Sequence, residues 1–139
     1  MSSRSLAQCS IKMAACAAEF ENQLRDASIE FVRACTYRSG EEQDTLYSLG
    51  RSKPGHIVTQ AKAGESPHNM QLDGSPASDA VDYYPLVNGK LCGDTTDAEL
   101  AIWEQMGKIA VECGLEWGGH WAAAKRDRPH FQLQGWKKT

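Results

Sequence analysis

Three side chains of this 139-residue sequence, His68, Asp82 and His130, can supply the ligand set of a catalytic zinc. Such a site takes two imidazoles and a carboxylate and keeps a fourth position open for water. Any chain with four histidines and eighteen acidic residues offers triples of this kind, so on residue type alone three ordinary polar residues remain the competing reading. Context favours the metal. Asp82 lies inside the apolar run Ala80-Val-Asp-Tyr-Tyr84, His130 opens an apolar strand, and His68 lies in a loop. Charges rarely occupy apolar runs unless paired or metal-bound. Asp127 precedes His130 by three residues, with Pro129 keeping the chain extended between them. A carboxylate there can stand beside a ligand position without filling it, as a general base requires.

These residues need a frame. Met13, Ala17, Phe20 and Leu24 recur at helical spacing and predict an amphipathic helix over residues 8–26. Residues 29–37 read as a strand, and Ser39-Gly-Glu-Glu42 as a capping box opening a short helix that stops at Gly50. Arg38 then sits at a strand-to-helix turn. Residues 50–76 are dense in Gly, Ser, Pro and Lys and read as a long ordered loop carrying His68. Residues 80–85 predict a short strand ending at Pro85, with Asp82 projecting from it. A second capping box, Thr96-Asp-Ala-Glu99, opens a helix with a buried stripe of Ile102, Met106, Ile109, Ala110 and Cys113 that Gly114 ends. Glycine turns at 118–119 precede a final strand that begins after Pro129. Trp117 and Trp121 flank those glycines as candidates for a substrate groove or for the core. Ser66 could contact substrate or cap the loop, whereas Trp103 reads as packing.

The length suits a single domain, residues 1–139. A net charge of -3 with scattered basic residues argues against nucleic-acid binding. Five cysteines without a C-x-x-C pair suggest neither a disulfide framework nor a cysteine zinc knuckle. The apolar stretch 13–18 is too short and too polar for a signal peptide, and no segment is long enough to span a bilayer. The expectation is therefore cytoplasmic synthesis, with export dependent on a partner.

The stretches Thr36-Tyr-Arg-Ser-Gly-Glu-Glu-Gln-Asp-Thr-Leu-Tyr47, Gly50-Arg-Ser-Lys-Pro-Gly55, Ser66-Pro-His-Asn69, Ala80-Val-Asp82 and Trp117-Gly-Gly-His-Trp121, with Asp127-Arg-Pro-His-Phe131, resemble the L-alanyl-D-glutamate endopeptidases of bacteriophage lysis. That family belongs with the zinc D-Ala-D-Ala carboxypeptidases and shares a fold with the hedgehog signalling domain. The resemblance implies an α+β domain with helices packed on a small, mostly antiparallel sheet. It implies one zinc ion on His68, Asp82 and His130, Asp127 as the residue that activates water, and Arg38 as the cation facing the scissile carbonyl oxygen. The implied substrate is the peptidoglycan stem peptide, cleaved in the host cell wall by a monomer that reaches it through a holin-like partner. Two departures stand out. The family's compact form has its aspartate seven positions after the histidine, where this chain has Ser75, so Asp82, fourteen positions after, is chosen over Asp79. His120 stands where relatives often carry Asp; it reads as pocket wall or surface, with His56 weaker still as a ligand. The rival readings are a D,D-carboxypeptidase on the same fold and a non-catalytic zinc-binding module. Without the resemblance, Arg38 reads as a surface partner of Glu41 or Glu42.

Overall fold

The computed structural model describes residues 2–137. Helix α1 (Ile11–Asp26) starts later than its apolar period alone predicts, because Ser10 caps it: Ser10 Oγ accepts the Met13 N–H at 3.1 Å. Leu6–Gln8 form a separate 3-10 turn. Met13, Ala17, Phe20 and Leu24 are all fully buried, so the stripe faces the core as its spacing predicts.

Strand β1 (Phe31–Cys35) is shorter than 29–37. At one end the Ile29 N–H returns to the Leu24 carbonyl of α1; at the other, Thr36 and Tyr37 pair with Ser3. Helix α2 (Gly40–Ser48) is capped by Ser39, but Glu42 does not return the bond: its carboxylate accepts from Ser2 Oγ at 2.9 Å. The long loop contains a 3-10 turn, Pro67–Asn69, and an unforeseen hairpin, β2 (Gln71–Leu72) with β3 (Ser75–Pro76). Asp73 and Gly74 link its strands with φ of 52° and 79°, the left-handed pair that a two-residue hairpin turn demands.

Strand β4 (Ala80–Val87) does not end at Pro85. Backbone donors alternate sides along a strand, and the Tyr83 N–H is the last to reach the β7 side, at Pro129. The N–H that proline lacks would face that same, already vacated side. Leu86 can therefore continue the ladder to Glu30 on the β1 side, while the Pro85 carbonyl accepts from Cys92 beside β5 (Lys90–Leu91). Helix α3 (Asp97–Glu112) opens with the reciprocal Thr96–Glu99 capping box and closes before Gly114, whose φ is 86°. Strands β6 (Leu115–Trp117) and β7 (His130–Leu133) complete an antiparallel sheet in the order β1-β4-β7-β6, with β5 paired to β4.

Pleating divides the sheet into two faces. Val81, Tyr83, Phe131, Leu115 and Trp117 join the α1 and α3 stripes in one apolar cluster. Asp82 and His130, directly opposed across β4 and β7, point to the other face. Between helix and sheet, Glu21 is buried and accepts from Arg33 at 2.7 and 2.8 Å and from the Tyr83 hydroxyl at 2.6 Å, tying α1 to β1 and β4.

At Gly107 of α3 any Cβ would be driven into the Trp117 indole, itself 1% exposed and unable to retreat. Helix propensity alone would make Gly107→Ala stabilising by about 1 kcal/mol. Overpacking against the sheet should outweigh that, and a urea titration should show a net loss of about 1–3 kcal/mol.

Candidate metal centre and active site

The β4–β7 register sets Asp82 beside His130, and the 3-10 turn brings His68 over them. That turn is built locally: Ser66 Oγ accepts the His68 N–H at 3.2 Å, while Asn69 Oδ1 accepts from the Ser66 N–H and Asn69 Nδ2 donates to the Arg38 carbonyl. Asp82 Oδ1 lies 3.0 Å from His68 Nε2 and 3.5 Å from His130 Nδ1.

The remaining ring nitrogens are committed elsewhere. His68 Nδ1 lies 2.7 Å from the Thr36 carbonyl, which can only accept, so Nδ1 carries the hydrogen and Nε2 presents a lone pair when the ring is neutral. His130 Nε2 lies 2.7 Å from Gln132 Oε1. Two imidazole nitrogens and one carboxylate oxygen thus converge, each ring held from behind as metal-ligating histidines are. The donor set suits zinc or a similar divalent cation.

A second grouping competes. Among the described residues, the ligand atoms of Cys35, His68 and Asp82 lie within 4.8 Å of one another. However, the Cys35 thiol lies 3.8 Å from His68 Nδ1, the nitrogen already bonded to Thr36. Arg38 Nη2 also stands 3.7 Å from both Cys35 Sγ and Asp82 Oδ2. A fixed guanidinium between thiol and carboxylate repels a second cation, so the His68–Asp82–His130 set is favoured.

Over residues 59–133, more than half of its length, the chain matches the family described as D-alanyl-D-alanine carboxypeptidase. The chain belongs to that family. It is 40% identical over 106 residues to the peptidoglycan L-alanyl-D-glutamate endopeptidase CwlK of Bacillus subtilis (strain 168), covering 70% of this chain and 56% of the relative. It therefore spans little more than half the length of that relative. Its fold matches the L-Ala D-Glu endopeptidase ChiX of Serratia marcescens with a TM-score of 0.62 at 20% identity, over 96% of this chain and 89% of that one. It also matches the LD-carboxypeptidase LdcB with a TM-score of 0.63 at 16% identity, over 90% and 58%. The α+β architecture implied by the motifs is thus the observed one.

In this D-alanyl-D-alanine carboxypeptidase-family chain, charge concentrates at Asp82. Burial alone raises a carboxyl's pKa, but the His68 charge and hydrogen bonds from His130 and His68 outweigh it, and Asp82 is held well below the usual carboxylate range. The reciprocal balance, burial outweighed by Asp82, holds His68 above the usual imidazole range. In the metal-free protein a proton is thus retained at the point where a divalent cation would take its place.

Asp79, three residues before Asp82, lies at the bend that precedes β4, and its charge adds to burial in pushing up the pKa of the Cys9 thiol beside α1. Arg38 turns away from the surface glutamates: its Nη1 donates to buried Gln43 Oε1 at 3.1 Å, and its buried Nε has no partner among the described residues. Asp127 is exposed at the rim. Protein packed near its carboxyl nevertheless removes enough water to raise its pKa, with Asp82 adding to the rise and His130, His68 and Arg38 opposing it. Gly118 permits this placement, since a Cβ there would strike the Asp127 carbonyl while the Asp127 N–H bonds to the Gly118 carbonyl at 3.0 Å. Trp121 stacks obliquely near His130, with ring centroids 5.2 Å apart.

Trp117 and Ser66 do not face the site, and His120 lies at the surface as its sequence context suggests. Trp117 is core, its indole N–H donating to the Arg128 carbonyl at 2.6 Å, and it lines no groove. Ser66 is buried as the cap of the His68 turn. His120 lies on the flank of α3, 3.1 Å from Glu104. Cys35, Gln43, Glu116 and Gln132 were not singled out in the sequence; only their alternation with known strand positions could have marked Cys35 and Gln132.

Zinc titration against a chromophoric chelator separates the groupings. Asp82→Ala and His130→Ala should lose tight binding, while Asp79→Ala and Cys35→Ala should keep it.

Proposed function

We propose that this protein is a peptidoglycan hydrolase that cleaves the L-alanyl-D-glutamate bond of the stem peptide, with one zinc ion held by His68, Asp82 and His130. The observation that carries the reading is the convergence of His68 Nε2 and His130 Nδ1 on Asp82 Oδ1, with Asp127 beside the cluster and outside it. The choice of bond is supported by the names of CwlK and ChiX.

Zinc at this position supplies a Lewis acid for the scissile carbonyl and eases ionisation of water near neutral pH. Asp127 takes the proton of the attacking water and returns it to the leaving amine. Arg38, with Gln43 behind it, offsets the negative charge that develops on the former carbonyl oxygen. Trp121 walls the His130 side. The motif resemblance supports a biological setting of phage-driven lysis: a monomer made in the host cytoplasm reaches the wall after a membrane-permeabilising partner opens the way. Among the described residues no helix is long and apolar enough to cross a membrane.

The family description favours a second reading, release of terminal D-alanine. Mass analysis of muropeptides from digested sacculi separates the two. The proposal predicts peptides with a new N-terminal D-glutamate and disaccharides that retain L-alanine; free D-alanine with an intact L-Ala-D-Glu bond would establish the carboxypeptidase instead. Asp127→Ala should keep its zinc and lose roughly 10²–10⁴-fold in turnover. Asp127 must be ionised to act, so the acid limb of the pH–rate profile should vanish in the residual activity of Asp127→Asn. In the metal-free protein burial raises the Asp127 pKa, and a raised folded-state pKa means stability falls as pH rises through that window. Metal-free Asp127→Asn should therefore melt no lower than wild type at neutral pH.

A further inference from the structure

Gln132 is 6% exposed, and its Oε1 lies 2.7 Å from His130 Nε2. Residues two apart on a strand share a face, so the amide reaches the back of the ring two positions before it. In the register of the sheet Gln132 stands between Ala80 on β4 and Glu116 on β6. Ala80 is fully buried and small, which leaves room for the amide. Glu116 accepts the Trp121 indole N–H at 2.8 Å, which anchors the ring lying near His130.

Resting on the metal reading above, we propose that Gln132 is the positioning residue of the metal centre, whose amide oxygen accepts the His130 Nε2 hydrogen and so presents the Nδ1 lone pair to the cation. A neutral imidazole carries its hydrogen on one nitrogen only. An acceptor at Nε2 draws it there. A donor at Nε2 would place it on Nδ1, against the incoming ion. The two histidines differ in this respect. His68 is held by the Thr36 backbone carbonyl, which no substitution removes, whereas the presentation of His130 depends on one side chain.

The test compares zinc affinity, by chelator competition, with thermal stability of the metal-free protein. Gln132→Met matches the side chain's length and removes the acceptor; zinc should bind about 10–100-fold more weakly, the usual effect of losing a partner behind a ligand, while the metal-free protein still unfolds in one cooperative transition, melting only modestly lower because the buried His130 N–H loses its acceptor. Gln132→Glu keeps the acceptor and should bind zinc at least as tightly as wild type. Wild-type affinity in Gln132→Met, or affinity in Gln132→Glu as weak as in Gln132→Met, would overturn the inference while leaving the metal centre standing. Failure of the wild type itself to bind zinc would remove the metal reading, and this inference with it.

Discussion

The negative charge of Asp82 is set into the middle strand pairing of the sheet, with little water around it and two imidazoles against it. Burying a carboxylate there is costly unless the charge is met. His68, His130 and Arg38 meet it from three directions. Each partner comes from a different part of the chain, the loop turn, the last strand and the first strand-to-helix junction. The fold can be understood as the arrangement that closes these parts around one carboxylate.

Pleat parity makes this possible at low cost to the core. Because β4 and β7 alternate, Val81, Tyr83 and Phe131 can fill the layer against α1 and α3 while Asp82 and His130 are excluded from it. A one-residue slip of β7 would exchange Phe131 for His130 and destroy both core and site. The Trp117 indole packed at Gly107 and the Glu21–Arg33–Tyr83 network resist such a slip from the helix side. On the other face Gly118 admits the Asp127 segment, and Gln43 and Gln132 steady Arg38 and His130.

Much of this was legible in the residues. The two long helices announced themselves by period, the second also by its capping box, and Asp82 by its intrusion into an apolar run. Their limits were less legible, because ends are decided by hydrogen bonds to distant segments: Thr36 pairs with Ser3, and Pro85 is tolerated only because β7 has already ended. The hairpin around Asp73-Gly74 was hidden by its two-residue strands, too short to show alternation. Trp117 was ambiguous because an indole signals core and groove alike; only its place opposite Phe131 decides. Gln43 and Gln132 gave no signal of their own, since a buried glutamine has the same letter as a solvated one.

The central claim, that a metal is held by two imidazoles and a carboxylate without the neighbouring thiol, is tested most directly by X-ray absorption at the zinc edge on the loaded protein. Nitrogen and oxygen neighbours at about 2.0–2.2 Å, with no sulfur, are the predicted result. A sulfur neighbour at about 2.3 Å would place Cys35 on the metal and contradict the account.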